Sequence, residues 1–233
     1  MPAAWNYGVV AFIDVLGFAS FVEQDASSLT PQHLDNFLAC LQAVRASTPV
    51  EHLDVRAFSD SIIISTGLSS VEVTELLVAA VALQRIFIQR GVLVRGAVAF
   101  GKHYLDKDLI YSEALVRAYR RERDMARFPR ILIDRDLLDW YINDAGTTNE
   151  LARQAIPLML RDRDNQVFLH YLNNNSVAAH RDLLLSYKLD GVTASVLEKL
   201  QWMAEYHNYF AKSKAPAILF AGPLVADFRP LET

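Results

Sequence analysis

The sequence is poor in cysteine: Cys40 is the single one in 233 residues. One cysteine cannot form a disulfide within the chain, so the fold must depend on a hydrophobic core, and the composition fits a reducing compartment. Cys40 lies in an apolar helical pattern, which indicates a small buried side chain. The chain is therefore expected to be cytoplasmic.

A net positive charge is also lacking. The chain has 23 lysines and arginines against 27 aspartates and glutamates, which gives a formal net charge of −4. This balance provides no general attraction to nucleic acid or to anionic lipid, so neither is an expected partner. Any polyanion would have to be held by a local basic site.

No apolar segment of membrane length is evident. The first eighteen residues, MPAAWNYGVVAFIDVLGF, are apolar, but they lack a basic start and Asp14 interrupts them. Nothing resembles a linker or a repeat either. We therefore expect one domain over residues 1–233, with a motif-bearing core at about 8–134 and a C-terminal elaboration at about 135–233.

Apolar runs of two kinds alternate along the core and indicate strands and helices. The expected elements are a strand at 7–15, a helix from about 30, strands at 53–58 and 61–66, a helix at 71–89, a strand at 92–100, a strand near 108–111, a helix at 113–127 and a strand at 130–133. A helix at 149–160, a strand at 166–172 and a helix at 194–212 follow. Hairpins combined with helical crossovers predict an α+β fold with an antiparallel-rich sheet of ferredoxin-like type.

Two aspartates interrupt these apolar runs. Asp14 ends the first strand, and Asp60 lies with Ser59 between two strands, in VRAFSDSIII. In a ferredoxin-like sheet the first strand lies beside the later hairpin, so both carboxylates could meet at a divalent cation, with the carbonyl of Val15 as a further ligand. Alternatively, Asp60 caps a turn and Asp14 caps the following helix.

A glycine follows Asp14 closely. The stretch Leu16-Gly17-Phe18 reads as a strand-to-helix turn. Backbone amides of residues 16–20 would then point at an anion such as a phosphate. The signal is weak alone and gains from its position next to Asp14.

Five ordered motifs resemble those of a known family. They are FIDVLGF at 12–18, FSDS at 58–61, RGAVAFG at 95–101, EALVRAYRRE at 113–122 and PRILID at 129–134. Together they resemble the class III nucleotide cyclases, and more closely the bacterial Pycsar pyrimidine cyclases. The resemblance covers residues 8–134 and implies a single class III cyclase domain.

The resemblance implies a two-metal site. Asp14 and Asp60 match the aspartates that hold two Mn²⁺ or Mg²⁺ ions in this family, and the carbonyl of Val15 completes one coordination sphere. Leu16, Gly17 and Phe18 would bind the triphosphate. The implied reaction is attack of the ribose 3′-oxygen on the α-phosphorus, with pyrophosphate leaving.

The resemblance also assigns arginines. Arg120 matches the residue that stabilises the transition state, with Arg117 at the nucleotide and Arg121 able to share the role. Val116 stands where purine cyclases carry an asparagine, which leaves the ribose contact open.

Two strand arginines stand beside these motifs. Arg56 occupies the place of a base-reading lysine, and its guanidinium could donate to a pyrimidine carbonyl, although an exposed strand arginine needs no such role. Arg95 either reaches the nucleotide or anchors the hairpin.

The expected function is synthesis of 3′,5′-cyclic UMP from UTP in anti-phage defence, by a homodimer with shared active sites. The cyclic product would act on a separate effector protein. Two alternatives stay open: synthesis of cyclic CMP from CTP, or a catalytically silent nucleotide-sensing module on the same fold. A purine or dinucleotide cyclase is disfavoured by Arg56 and by the absence of a GGDEF run.

Overall fold

A computed structural model of the chain describes residues 5–47, 52–145, 150–188, 190–214, 220 and 228–231. The strands are β1 (Asn6–Val15), β2 (Asp54–Phe58), β3 (Ser61–Gly67), β4 (Val94–Leu105), β5 (Ile110–Ser112), β6 (Ile131–Ile133), β7 (Met159–Arg161), β8 (Val167–Leu169) and β9 (Arg229–Pro230). The α-helices are α1 (Phe18–Ala26), α2 (Gln32–Ser47), α3 (Ser70–Gln89), α4 (Glu113–Met125), α5 (Arg135–Ala145), α6 (Glu150–Ala155), α7 (Val177–Ser186) and α8 (Ala194–Lys214).

One sheet joins all the described strands, in the order β2-β3-β1-β4-β6-β8-β7-β9, with β5 paired to the far end of β4. Strand β1 is central and pairs antiparallel with β3 on one side and with β4 on the other. Strands β4 and β6 run parallel, because α4 connects the β4-β5 hairpin to β6 as a crossover. The α+β, antiparallel-rich class III cyclase fold predicted from the sequence is confirmed.

Helices cover both faces of the sheet around β1. Successive side chains of a strand point to opposite faces. Val9, Ala11 and Ile13 are fully buried in the main core, to which α3 contributes most of one side. Phe12 faces the other way and packs edge-on against Tyr119 of α4, with 5.4 Å between ring centroids.

The C-terminal strands and helices share the main core. Arg130, immediately before β6, is completely buried and forms ion pairs with Asp162 and Asp164, in the turn between β7 and β8. Trp202 of α8 donates its indole N–H to the same Asp162 carboxylate at 2.7 Å. The guanidinium lies against the rings of Phe128 and Trp202 at 5.2 and 5.8 Å. This group therefore connects α8 to the strands of the motif-bearing half.

A group of buried histidines lies beside that connection. The Nδ1 atoms of His180 and His207 are 3.2 Å apart, and the other ring nitrogen of His180 lies 3.2 Å from the Tyr171 hydroxyl. Burial, together with the neighbouring His207, lowers the pKa of His180 to about 3. Burial likewise lowers the pKa of His170 to about 4. Both rings are therefore neutral in the folded protein at neutral pH.

Helix α1 begins at Phe18, right after the expected strand-to-helix turn. Two elements differ from the sequence-based expectation. Helix α5 occupies residues for which the sequence pattern predicts no element. The helix predicted at 149–160 was wrong at its end: residue 149 lies outside the described residues, α6 ends at Ala155, and residues 159–161 are β7, which pairs with β8 and β9. Among the described helices, none has the length and apolar character needed to cross a membrane.

Candidate active site

The two sequence-predicted aspartates lie at one end of the sheet. Asp14 is the next-to-last residue of β1 and pairs with Ser61 of β3 on one side and Arg95 of β4 on the other. Asp60 belongs to the two-residue tip between β2 and β3, where Ser59 has a left-handed φ of 54°. The amide of Val15 donates to the Asp60 carbonyl at 2.9 Å, which holds the tip against the end of β1.

Opposing electrostatic effects act on the Asp14 carboxylate. Partial burial raises its pKa, the hydrogen bond and charge of Arg95 act in the opposite direction, and the nearby Asp60 charge raises it again. A divalent cation between two such carboxylates would remove their repulsion. In a strand the N–H and C=O of one residue point to the same edge, so the Val15 carbonyl also faces the hairpin tip.

This donor set fits a hard divalent cation, because all of its members are oxygens. It is incomplete by itself: within the described ranges, no group of three or more histidine, cysteine, aspartate or glutamate side chains could hold a metal ion. Two carboxylates and a carbonyl would need water and substrate phosphates to complete the coordination, as is usual for Mg²⁺.

Helix α1 begins right beside Asp14. Gly17 precedes it with a φ of 80°, a left-handed conformation that glycine adopts without strain. The first amides of the helix, from Phe18 to Ser20, have no carbonyl partner within their own helix. The amide of Leu16, in contrast, donates to the Leu93 carbonyl at 2.9 Å. A phosphate contact from the Leu16 amide therefore stays a prediction that requires this bond to open.

Arg95 lies between two carboxylates. Its Nε is 3.1 Å from Asp14 Oδ2 and 2.7 Å from Glu122 Oε1 of α4. One guanidinium therefore offsets charge on the strand and on the helix at once. Of the two roles considered from the sequence, these contacts are those of an anchor, and a direct contact of Arg95 with nucleotide stays a prediction.

Glu122 is the residue that sequence reasoning missed. Glu122 is only 3% exposed, and burial raises the pKa of its carboxyl group to about 7. The charge of Arg95 opposes this rise, and the charges of Asp14 and Asp60 add to it. The signal was present in the spacing: Ala114 and Ala118, four residues apart, mark the buried face of α4, and Glu122 continues that face. It was hidden because it lies within the charged run RRERD.

Arg56 lies on the same face of the sheet as Asp14. It pairs with Ile63, which pairs with Phe12, two positions before Asp14. Its Nε donates to Asp54 at 2.8 Å, and one terminal nitrogen donates to the Asp106 carbonyl. Two of its five N–H donors are thus used within the chain.

The arginines of α4 divide into two groups. Arg117 donates to Asp134 at 2.9 Å and Asp136 at 2.6 Å, and Arg121 donates to Asp134 and to Gln166. Both therefore reach the end of β6. A contact of Arg117 or Arg121 with nucleotide stays a prediction that requires these pairs to open.

Arg120 is different from these two. It is exposed, one turn after the exposed Val116, and the described part of the chain gives it no hydrogen-bond or ion-pair partner. It does not contact Asp14 or Asp60 within one copy of the chain. Its assignment to the transition state stays a prediction as well.

A largely apolar cavity of about 560 Å³ adjoins the site at Phe18 and Ser59. Its walls come from α1, α2 and the outer strand β2, and include Phe18, Phe37, Leu38 and Ala57. This lining is unsuited to a triphosphate, so the polar cluster at Asp14 and Asp60 is the candidate site.

Comparison with known proteins shows the fold. No family model matches the sequence, and no curated protein sequence matches it. Among solved structures, the adenylyl cyclase CyaB from P. aeruginosa matches with a TM-score of 0.52 and 12% identity, over 76% of this chain and 99% of that one. The non-canonical dimeric guanylyl cyclase domain of the RhoGC fusion protein from the aquatic fungus Blastocladiella emersonii matches with a TM-score of 0.49 and 10% identity, over 70% of this chain and 93% of that one. The chain has the fold of the class III nucleotide cyclase domains.

Proposed function

We propose that this chain is a pyrimidine nucleotide cyclase that converts UTP into 3′,5′-cyclic UMP and pyrophosphate. The observation that carries the proposal is the convergence of Asp14, the Asp60 hairpin tip and the start of α1 at one end of the sheet. Opposed carboxylates beside unpaired helix amides suit a metal-bound triphosphate. The fold adds support, because its solved examples include nucleotide cyclases.

Asp14, Asp60 and the Val15 carbonyl are the groups that would hold two Mn²⁺ or Mg²⁺ ions. When bound, such ions lower the pKa of the ribose 3′-hydroxyl and neutralise charge on the triphosphate. The chain itself orients the substrate: Gly17 lets the chain turn sharply, and the amides of Phe18 and its successors are available to phosphate oxygens.

In the reaction, the 3′-hydroxyl gives its proton to solvent water, and the 3′-oxygen forms a bond to the α-phosphorus. The bond between the α-phosphorus and the bridging oxygen breaks, and pyrophosphate leaves with that oxygen. Negative charge on the α-phosphate oxygens needs a cation in the transition state. Arg120 is the proposed cation, and since it does not contact Asp14 in its own subunit, the partner subunit's Arg120 would serve.

A homodimer with shared sites is therefore part of the proposal. Apolar side chains near the site are open in the single chain: Phe58 at the hairpin is 82% exposed, Val116 46% and Tyr119 44%. A second copy of the chain would cover them.

Arg56 is the proposed base-reading residue. It lies on the sheet face of Asp14, and three of its five N–H donors have no acceptor among the described residues, which suits the C4 carbonyl of uracil. Cytosine has an amine at that place, so CTP and cyclic CMP are the alternative pair. Arg95 and Arg117 would support the nucleotide, Arg95 through Asp14 and Arg117 after release from its carboxylates.

The biological part of the proposal is anti-phage signalling. Cyclic UMP would be released in the cytoplasm as a second messenger and would act on a separate effector protein. This assignment rests on the motif resemblance to the Pycsar cyclases.

A second candidate function is a catalytically silent nucleotide sensor. One observation favours it: Val116 offers no hydrogen bond where the motif resemblance implies an asparagine. Such a protein would bind nucleotide without releasing pyrophosphate.

The test is incubation of the purified protein with each of the four nucleoside triphosphates and Mn²⁺, followed by chromatographic separation of the products. We expect cyclic UMP from UTP, and loss of product in Asp14→Ala and Asp60→Ala. Asp139→Asn is the matched control. The Asp139 side chain is 62% exposed on α5, so this substitution should leave the activity unchanged. Binding of UTP without any cyclic product would favour the sensor, and product from ATP or GTP alone would refute the pyrimidine assignment.

A further inference from the structure

Glu122 and Asp14 compete for one hydrogen atom of Arg95. The Arg95 Nε carries a single hydrogen. It is directed at Asp14 Oδ2 over 3.1 Å. Glu122 Oε1 lies closer, at 2.7 Å, but outside the direction of that hydrogen, and among the described residues this oxygen has no hydrogen-bond partner.

The burial of the Glu122 Oε1 atom without a hydrogen bond from the described residues needs an explanation. The Glu122 side chain is 4% exposed, against 19% for Asp14 and 30% for Arg95. Buried carboxylate oxygens are normally hydrogen-bonded, because one without a hydrogen bond loses its hydration. Here that loss is offset mainly by the charge of Arg95. Alanine would fit the same face of α4, where Ala114 and Ala118 are completely buried. The unpaired oxygen is therefore a feature of the site and not a requirement of helix packing.

A divalent cation changes what Asp14 can do. The oxygen that now accepts from Arg95 is one of those that a cation at the Asp14–Asp60 pair would use, and a guanidinium beside that cation is repelled by it. Arg95 must then leave Asp14. Its nearest other anion is Glu122, which already lies within hydrogen-bonding distance, so a rotation of the Arg95 side chain is sufficient and no backbone has to move.

We propose that Glu122 is a positioning residue that accepts Arg95 when Asp14 takes up a divalent cation. The inference rests on the proposed function, because it assumes the cation. In the free protein Arg95 shields Asp14 from Asp60, and in the loaded protein it is held by α4. Glu122 thereby raises the cation affinity of a carboxylate that it does not itself contact.

The test measures Mn²⁺ binding to the purified full chain without nucleotide, by the electron paramagnetic resonance signal of free Mn²⁺, at a pH of about 8, where Glu122, with a pKa of about 7, is charged. In Glu122→Gln, Arg95 loses its charged alternative, and since charge-assisted hydrogen bonds are about twice as strong as neutral ones, the Mn²⁺ Kd is expected to rise roughly tenfold. Asp124→Asn is the matched control on the same helix, because that carboxylate is exposed and pairs with Arg123. It should leave the Kd unchanged.

A second variant separates positioning from packing. Adding Arg95→Met to Glu122→Gln removes the competitor for Asp14, so the Mn²⁺ Kd is expected to return to within about threefold of the wild-type value. A role of Glu122 in helix packing alone predicts the opposite, a double variant no better than the single one. Circular dichroism at 25 °C selects the folded variants for comparison.

The two hypotheses fail differently. If Asp14→Asn and Asp60→Asn bind Mn²⁺ as the wild-type protein does, the metal site of the proposed function is wrong. If both lose Mn²⁺ binding while Glu122→Gln keeps the wild-type Kd, the positioning role of Glu122 is overturned and the metal site stands. A raised Kd in Glu122→Gln that the double variant reverses supports both.

Discussion

Replacing Arg130 with methionine tests whether the C-terminal part of the chain folds together with the strands that carry the candidate site. Arg130 has no solvent exposure, and its partner Asp162 has a side-chain exposure of 1%. Methionine keeps the apolar contacts with Phe128 and Trp202 and removes the charge. The Asp162 carboxylate is then left buried, with the Trp202 indole N–H and the amide of Arg163 as its donors.

The expected loss follows from this geometry. Removing one partner of a buried ion pair costs about 3–5 kcal/mol, because the other charge stays buried without compensation. Asp164 softens the effect little, since its side chain is 40% exposed and regains water. For a protein of this size, about 4 kcal/mol corresponds to a decrease of about 10 °C in Tm.

The assay is thermal unfolding followed by far-UV circular dichroism and by tryptophan fluorescence. Arg135→Met is the control, because Arg135 is 86% exposed and lies 3.8 Å from Asp139, and it should change the stability by less than about 0.5 kcal/mol. A loss below about 1 kcal/mol in Arg130→Met would refute the reasoning. So would an early transition seen by one probe only, because it would show that the C-terminal part unfolds by itself.

Three further predictions follow from the fold and the site. The folded protein should lose stability as the pH falls below about 6.5: the pKa values of His170 and His180 are lowered to about 4 and about 3, so the unfolded chain binds protons that the folded chain cannot. Each histidine should remove about 2 kcal/mol by pH 5, whereas Glu122, whose pKa burial raises to about 7, takes up a proton in the folded chain and should return about 2 kcal/mol. A net loss of about 2 kcal/mol is therefore expected in urea unfolding, and a flat profile between pH 7 and 5 would contradict it. Gly17→Ala should lower the free energy of unfolding by about 1–2 kcal/mol, because a φ of 80° is strained for alanine, although the added Cβ would meet no atom closer than 3.8 Å. Nucleotide affinity should fall as well. An unchanged Tm in differential scanning calorimetry would argue against the strain. Gly96→Ala places a Cβ 2.5 Å from the Phe12 carbonyl oxygen, so β1 and β4 must move apart. We expect the folded protein that is recovered to have less than a tenth of the wild-type cyclase activity. Wild-type activity would refute the strand spacing at Asp14.

The predicted strands and helices of the core were recognisable because their signals are local. Strand β1, the β2-β3 hairpin, α3 and α4 each have a periodic pattern bounded by turn residues. Strand β7 was missed because its three residues are strand only through pairing with β8 and β9, and the β9 residues lie about seventy positions away. Helix α5 was missed because its charged residues hide the apolar stripe of Leu137, Leu138 and Tyr141.

The candidate site was predictable to the same degree. Asp14 and Asp60 are visible in the sequence because each interrupts an apolar run, and their proximity follows from the sheet order. Glu122 needs the structure, because a carboxylate among four neighbouring charges looks solvated until the orientation of α4 is known. The engagement of Arg117 with Asp134 is likewise invisible, since the partner comes from another element.

The central place of β1 has a consequence for synthesis of the protein on the ribosome. Its two neighbours, β3 and β4, are made later, and β4 ends only at Leu105. At about 5–20 residues per second, β1 waits roughly 5–18 s for its second neighbour, with an apolar edge open to other chains. Expression yield should therefore depend on translation speed and on chaperone supply, and a nascent chain halted before β4 would carry both aspartates but lack Arg95, which pairs with Asp14.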